Sequence, residues 1–287
     1  PGDICHGRTV SQVVQSRLSG YAEGDIVFNT NGWQAWGLTG ANIDVFGYMF
    51  PRKIDPILAP ISTAIGVMGM LGLTAYAGLV VQCEPKPGDT LVVSAASGGV
   101  GQVVCQLGRL YGCRVVAIAG SDEKLEYLKT LGVDGVVSHR SPGFAEGLRQ
   151  ACPDGCDIYF ENVGGAVFDG VLPLLNVHAR ISLCGLISQY GNDDGQDPRS
   201  LWRTRGNAAF ERNSVVVHDL FVGNFVAQYQ DRFLEEMGGY LRAGDVRYLE
   251  DKRLGLENTP AVFAQMLAGG TLGKTLVVVS EDPTLSS

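Results

Sequence analysis

The stretch ASGGVG, residues 96–101, is the part of the sequence whose residue types and spacing most clearly indicate chemistry. It follows an apolar run, residues 89–95, and opens a helix-like stretch, residues 99–111. Backbone amides and a helix N-terminus at such a turn bind phosphate, and glycines permit the close approach. The first glycine of the usual dinucleotide fingerprint is replaced by Ala96. We predict a dinucleotide site here, and a purely structural turn between strand and helix is the alternative.

The end of the next apolar run bears on which dinucleotide is bound. An NAD site needs an acidic residue about 20 positions after the turn, where it bonds the ribose 2′-hydroxyl. The corresponding residues here, 119–121, are Ala, Gly and Ser, and Lys124 follows them. His139 and Arg140 end the third strand nearby. We therefore predict NADP, with Ser121 and Lys124 selecting the 2′-phosphate, and a solvated lysine on a helix face is the alternative.

Strand and helix patterns alternate around this turn. The apolar runs predict five strands, which are DTLVVSA, RVVAIA, DGVVSH, CDIYFENVGG and ARISLCG. Gly112 suits the end of the first intervening helix, and Ser121 suits the start of the next. Strands that alternate with helices of this length predict βαβ units, so we expect an α/β fold with a doubly wound parallel sheet.

The two ends of the chain show a different, β-rich pattern. Residues 1–50 contain short alternating segments broken by glycine-rich turns, which indicates part of a β-barrel. The closing GKTLVVV predicts a strand that returns to this barrel. We expect a substrate domain over residues 1–68, a dinucleotide-binding domain over 69–246, and a return to the first domain over 247–287.

Charge and composition exclude several classes of function. The chain has 22 Lys and Arg against 30 Asp and Glu, which argues against general nucleic-acid binding. Residues 56–83 carry no charge, but Pro60 and several glycines interrupt them, so we predict a buried helix–turn–helix and no membrane span. Seven cysteines with one close pair, Cys152 and Cys156, predict reduced thiols, no metal site and a cytoplasmic protein.

Six blocks of sequence carry a resemblance to a known family. In chain order they are GMLGLTAYAGL, AASGGVGQVV, AGSDEK, YFENVGG, RISLCGLISQY and LGKTLVVV. Over nearly its whole length the chain resembles the zinc-independent medium-chain dehydrogenases/reductases. The group of prostaglandin reductases, alkenal double-bond reductases and NADPH-dependent curcumin reductases is the most similar. The resemblance implies a Rossmann domain with a partial GroES-like β-barrel domain, NADPH as cofactor, and a homodimer.

The resemblance also implies a set of cofactor contacts. They are Met70, Thr74, Phe221 and Val222 near the nicotinamide, Gly98, Gly99 and Val100 at the diphosphate, Ser121 and Lys124 at the 2′-phosphate, and Asn162, Cys184, Gly185, Leu186, Ile187 and Ser188 around the adenosine, ribose or nicotinamide.

Several positions depart from the family's pattern. His139 stands where some members have a 2′-phosphate tyrosine, and Thr271 stands where the family has an asparagine, and we keep both as predicted cofactor contacts. Arg212 aligns with a tyrosine that some members are thought to use near the enolate. His6 lies where zinc-dependent relatives place a ligand, but the usual following glutamate is missing, so we interpret it as a structural or pocket-edge residue. The family's leading DPYMR segment is absent from the 287 residues, and we expect an incomplete N-terminus or a barrel without this wall.

The implied reaction reduces a carbon–carbon double bond conjugated to a carbonyl group, by hydride transfer to the β-carbon without a metal. Its substrate is a small α,β-unsaturated carbonyl compound. Negative charge moves to the carbonyl oxygen, so a dry pocket with hydrogen-bond donors is required. Tyr190 is the predicted donor, Tyr48 and Tyr76 are weaker candidates, and a tyrosine in an apolar run is more often part of the core.

The polar stretch 191–213 predicts a mobile lid over the pocket. Two other functions stay open. The protein could be an NADPH quinone reductase, which uses the same fold and cofactor, or an NADPH-binding protein without catalysis.

Overall fold

The computed structural model describes residues 2–39, 52–189 and 195–285. The strands are β1 Thr9–Gln12, β2 Ile26–Asn29, β3 Arg52–Lys53, β4 Thr90–Val93, β5 Arg114–Ala119, β6 Gly135–Ser138, β7 Cys156–Glu161, β8 Leu175–Leu183, β9 Val216–Asp219, β10 Glu250–Leu254 and β11 Lys274–Val278. The helices are α1 Met70–Ala75, α2 Gly101–Leu110, α3 Asp122–Thr130, α4 Phe144–Ala151, α5 Gly165–Val171, α6 Pro198–Asn213, α7 Gly223–Ala243 and α8 Thr259–Leu267. Tyr48 and Tyr190, two of the predicted donors, lie outside the described residues.

Six strands form one parallel sheet in the order β6-β5-β4-β7-β8-β9. This order confirms the predicted doubly wound parallel sheet, because the chain adds strands on one side of β4 and then on the other. The neighbouring strands β4 and β5 are buried on both faces, as their runs of valine predict. Val92, Val93, Val115 and Val116 are among the side chains with no exposed surface.

The chain after β8 differs from the prediction. The lid predicted over 191–213 is wrong for the larger part of that stretch, because residues 198–213 form α6. Asp197 caps this helix by accepting hydrogen bonds from the backbone N–H groups of Arg199 and Ser200, and a proline stands in the first turn. Trp202 then anchors α6 by stacking on Phe168, with 4.3 Å between the ring centroids. β9, which follows the helix, is a sixth strand that the sequence did not predict.

The chain divides into two compact units. The first comprises Pro1–Leu73, Val222–Arg242 and Leu249–Ser287, and the second comprises Thr74–Phe221 and Ala243–Tyr248. The first unit contains the antiparallel sheet β1-β2-β3 and the parallel pair β10-β11, so both ends of the chain contribute strands to it. It also contains most of α7. The domain boundaries after residues 68 and 246 remain predictions.

The uncharged stretch 56–83 folds as short, largely buried helical segments. A 3₁₀ turn covers Ile61–Ile65, α1 follows, and a π-helical segment continues over Tyr76–Cys83. Among the described residues, no helix combines the length and the hydropathy that a membrane span requires.

Candidate functional site

The glycine turn lies at the carboxyl edge of the parallel sheet, at the point where the strand order reverses. On one side of β4 the sheet continues to β5 and β6, and on the other side it continues to β7, β8 and β9. Ligands of doubly wound sheets bind in the crevice outside the carboxyl ends of the strands at this reversal. Ser94 directly follows β4, and Asn162 directly follows β7. The fold therefore places the turn and Asn162 at the edge where a dinucleotide would bind.

The glycine turn is built to bring backbone close to a ligand. A Cβ atom on Gly101 would lie 2.4 Å from the carbonyl oxygen of Ala95, so only glycine fits at the start of α2. A Cβ atom on Gly98 would lie 3.2 Å from that same oxygen and, apart from its chain neighbours, would have no other atom within 4 Å. Val100 is the N-cap of α2, and neither a capping side chain nor an acidic residue occupies the first turn. The positive end of the helix is thus available to an anion such as a diphosphate.

Three basic side chains come together at the carboxyl end of β5, where the sequence predicts 2′-phosphate selection. A Cβ atom on Gly120 would lie 2.7 Å from Nε2 of His139 and 3.1 Å from Nε of Arg140, so both side chains lie over this glycine. Burial, and then the charge of Arg140, lower the pKa of Lys124. Burial, and then the charges of Arg140 and Lys124, lower the pKa of His139. The charges of Lys124 and Arg140 form a positive site whose mutual repulsion a bound anion would relieve. Ser121 is the N-cap of α3 but makes no capping hydrogen bond with its side chain.

Asn162 is held against the end of β4. Its backbone N–H donates to Oγ of Ser94 at 2.8 Å, and its Nδ2 donates to the carbonyl oxygen of Ser94 at 2.7 Å. The loop that follows β8, residues 184–188, packs on the same turn. The N–H of Ile187 donates to the carbonyl oxygen of Asn162 at 3.0 Å, and the N–H of Ser188 donates to that of Val163 at 3.1 Å. The structure therefore brings together two blocks that the sequence predicts as cofactor contacts.

The same loop contains Cys184, whose thiol is not suited to act as a nucleophile. Burial raises the pKa of Cys184 to about 12, and the charge of Arg199 opposes this shift. The thiol therefore stays protonated at neutral pH. The N–H groups of Cys184 and Gly185 both donate to the carbonyl oxygen of Glu161 at 3.0 Å, so this part of the loop is fixed by its backbone.

Glu161, the last residue of β7, is a buried carboxylate that the sequence did not identify as a site residue. It has no exposed surface. Its Oε1 accepts hydrogen bonds from Val163 N (2.8 Å), Tyr159 OH (2.9 Å), Gly164 N (3.0 Å) and Ser94 Oγ (3.0 Å), and its Oε2 accepts one from Trp202 Nε1 (3.0 Å). The only signal in the sequence is an acidic residue between an apolar strand and the NVGG turn.

The remaining predicted contacts are distributed over both compact units. Thr74 and Phe221 belong to the unit that contains the parallel sheet, and Met70, Val222 and Thr271 belong to the other. Thr74 and Val222 are buried, while Phe221 is exposed and lines an open cavity of about 430 Å³. Contacts of these five residues with a cofactor remain predictions.

Other sequence candidates are placed as follows. Tyr76 is buried, and Arg212 is exposed in the last turn of α6. His6 is exposed. Tyr190 comes two positions after the described loop 184–188 but lies outside the described residues, so its role as proton donor remains a prediction.

The residues for a metal site are not assembled in the described part of the chain. No three His, Cys, Asp or Glu side chains lie there as ligands of one ion. Cys152 and Cys156 are buried free thiols, and burial raises the pKa of Cys152 to about 11. The donor set that zinc requires is missing among these residues, and we assign no chemistry to a metal.

Comparison with known proteins identifies the family. The profile described as "Zinc-binding dehydrogenase" matches residues 99–218. The NADPH-dependent curcumin reductase of Escherichia coli is 39% identical over 285 residues, which cover 98% of this chain and 79% of that protein. The 2-alkenal reductase (NADP(+)-dependent) of Nicotiana tabacum is 35% identical over 284 residues, which cover 98% of this chain and 79% of that protein.

A solved structure agrees with these relatives. The crystal structure of CurA from Vibrio vulnificus in complex with NADPH matches with a TM-score of 0.84 and 40% identity, over 96% of this chain and 80% of that chain. Both the sequence and the fold are thus shared over nearly the full length of this chain. The chain therefore belongs to the medium-chain dehydrogenase/reductase family, in the group that contains NADPH-dependent curcumin reductase and 2-alkenal reductase.

Proposed function

We propose that this protein uses NADPH to reduce the carbon–carbon double bond of α,β-unsaturated carbonyl compounds. The observation that carries the proposal is the cluster of Lys124, His139 and Arg140 at the carboxyl end of β5. An NAD site would need a carboxylate at that point, and the chain has glycine and serine there instead. The names of two relatives, a curcumin reductase and a 2-alkenal reductase, support the substrate class.

The residues of the crevice suit NADPH. Gly98, Gly99 and Val100, with the uncapped N-terminus of α2, would hold the diphosphate. The three basic side chains and Ser121 would hold the 2′-phosphate. Asn162 and the loop 184–188 would line the crevice at the strand reversal.

NADPH, when bound, would supply a hydride to the β-carbon of the substrate, and negative charge would then develop on the carbonyl oxygen. The chain has to place a hydrogen-bond donor at this oxygen and to exclude water from the pocket. We propose Tyr190 as the donor because it lies two positions after the loop 184–188 in the sequence. A metal is not required for this step, because hydrogen bonds alone stabilise a developing enolate.

Three further properties of the protein remain predictions from the family resemblance. These are a homodimeric assembly, a cytoplasmic location and independence of zinc. Size-exclusion chromatography with light scattering would test the first. Elemental analysis of the purified protein, with activity before and after a chelator, would test the third.

The proposal is tested by following oxidation of NADPH with a panel of 2-alkenals, enones and quinones, and by repeating the panel with NADH. We expect oxidation of NADPH with alkenals and enones, formation of the saturated carbonyl product, and weaker binding of NADH. Turnover of quinones alone would identify a quinone reductase. Tight binding of NADPH without oxidation by any member of the panel would identify a binding protein. Tighter binding of NADH than of NADPH would contradict the proposal.

A further inference from the structure

We propose that Glu161 is a positioning residue, which holds the turn 162–164 in the shape that binding of the dinucleotide requires. This inference rests on the proposed function, because it assigns a role within the same crevice. Glu161 does not touch the ligand itself, since its side chain has no exposed surface. It would act through the residues that it binds.

The carboxylate of Glu161 joins three separate parts of the unit. Its Oε1 accepts hydrogen bonds from Ser94, which follows β4, and from the N–H groups of Val163 and Gly164 in the turn after β7. Its Oε2 accepts the indole N–H of Trp202 in α6. One buried group therefore ties the end of β4, the turn and α6 together.

Ser94 transmits this constraint to Asn162. The hydroxyl of Ser94 donates to Glu161 at 3.0 Å and accepts the backbone N–H of Asn162 at 2.8 Å. The side-chain amide of Asn162 donates to the carbonyl oxygen of Ser94, so both its backbone and its side chain are fixed. Ile187 of the loop 184–188 then binds the carbonyl oxygen of Asn162. Loss of the carboxylate would loosen the turn and this loop together.

The hydrogen-bond donors around Glu161 favour its ionised form. The N–H groups of Val163, Gly164 and Trp202 can only donate. Within the described residues Oε2 meets only the indole N–H, so a proton on Oε2 would have no acceptor. Burial raises the pKa of Glu161, and the hydrogen bonds from these groups and from Tyr159 oppose that shift. Both carboxylate oxygens thus accept N–H groups, and a carboxamide of the same size cannot supply two such acceptors.

Glu161→Gln tests the proposal, because the carboxamide keeps the size of the side chain and replaces one acceptor oxygen by an NH₂ donor. Its NH₂ group must face either the indole of Trp202 or the donors at Oε1, so one donor opposes another in each orientation. We expect Kd and KM for NADPH to rise about tenfold or more. We expect kcat at saturating NADPH and KM for the enone to stay unchanged. A residue with a merely structural role would not separate these quantities.

Two further variants keep the test decisive. Ser94→Ala retains the carboxyl group of Glu161 and removes only the hydroxyl between Glu161 and Asn162, so it should also raise Kd for NADPH. If Glu161→Gln does not fold, Kd for NADPH of Ser94→Ala tests the positioning role by itself. Val115→Ala is the matched control, because it removes buried methyl groups at the amino end of β5. This control should lower Tm and leave Kd for NADPH unchanged.

The outcomes separate this inference from the proposed function. If the wild type binds NADPH and either folded variant binds it with the wild-type Kd, the positioning role is overturned and the proposed function stands. If Val115→Ala raised Kd for NADPH as much as these variants do, the weaker binding would follow from lower stability alone. That result would also overturn the positioning role. A wild type that binds no NADPH would remove the proposed function and this inference with it.

Discussion

The imidazole of His139 lies over the backbone of Gly120, and a Cβ atom at this glycine would stand 2.7 Å from Nε2 of the ring. The missing side chain is therefore what allows His139 and Arg140 to reach the end of β5. Lys124, on α3, is near the same point. Its charge contributes to the lowered pKa of His139. Selection of the cofactor is thus expected to depend on three basic residues from two elements, and not on one lysine.

The first prediction concerns the charge at this cluster. Lys124→Ala and Arg140→Ala should each raise Kd for NADPH about 10- to 100-fold, because each removes one charge-assisted contact with the 2′-phosphate. Kd for NADH should stay unchanged, since NADH has no phosphate at this position. Titration of the fluorescence of the reduced nicotinamide measures both constants.

Lys129→Ala supplies the matched control for this prediction. Lys129 lies on the same helix, α3, and pairs at the surface with Glu126 at 2.6 Å. Its removal changes the net charge by the same amount but should leave both dissociation constants unchanged. If Lys124→Ala weakened NADPH and NADH equally, the selection of the 2′-phosphate by this residue would be refuted.

The second prediction concerns the pH dependence of stability. The pKa of His139 lies below its ordinary value of 6.5 in the folded protein, so the unfolded chain takes up this proton first as the pH falls. The contribution of His139 to the free energy of unfolding is fully present above about pH 6.5. It is lost as the pH falls through the pKa that His139 has in the folded protein. In the protein without cofactor, Tm of His139→Gln should fall less than that of the wild type between about pH 7.5 and about pH 5.5.

Addition of NADPH supplies the second half of this test. A phosphate beside His139 favours the protonated ring, so the difference in pH dependence between wild type and His139→Gln should shrink when NADPH is bound. Identical Tm profiles of the two proteins without cofactor would contradict the lowered pKa. An unchanged difference on addition of NADPH would contradict the placement of the phosphate.

The central sheet could be predicted from the sequence because its strands are short runs of buried valine and isoleucine. In RVVAIA, for example, the five residues that follow Arg114 are all apolar, and all five are buried. The sequence of α6 gave a weaker signal. Its stretch is polar, with only Trp202 and Gly206 buried, so no apolar stripe marks it as a helix. Asp197 followed by a proline was the available signal for its start.

The role of Glu161 could not be predicted from its neighbours in the sequence. Its partners include Ser94, which lies 67 positions away, and Trp202, which lies 41 positions away. Only the pairing of β4 with β7 and the packing of α6 bring these groups to one carboxylate. The sequence shows an acidic residue at the end of an apolar strand, but the tertiary structure decides which donors surround it.

The third prediction compares the same substitution in two helices. Gly101→Ala should destabilise the protein by about 1–3 kcal/mol, because the new methyl group overlaps the carbonyl oxygen of Ala95 at 2.4 Å. It should also weaken NADPH binding, since relief of the overlap moves the turn that would hold the diphosphate. Denaturant unfolding and NADPH titration measure the two effects.

Gly239→Ala in α7 is the control for Gly101→Ala. A Cβ atom on Gly239 would have no other atom within 4 Å, so alanine fits without strain. Its higher helix propensity should stabilise the protein by about 0.5–1 kcal/mol. If both substitutions changed the free energy of unfolding in the same direction, crowding at the turn would not explain the loss of stability in Gly101→Ala.

The fourth prediction concerns the donor to the developing enolate. Tyr190→Phe keeps the ring and removes the hydroxyl, so it should lower kcat about a hundredfold if the phenol donates to the carbonyl oxygen or protonates the product. Kd for NADPH should not change, because the cofactor contacts that we predict lie on other residues. Tyr76→Phe is the comparison, since Tyr76 is a buried tyrosine of the unit that contains the parallel sheet. If Tyr190→Phe kept full turnover and Tyr76→Phe lost it, Tyr76 would be the proton donor instead of Tyr190. Full turnover by both would exclude these two phenols as the donor.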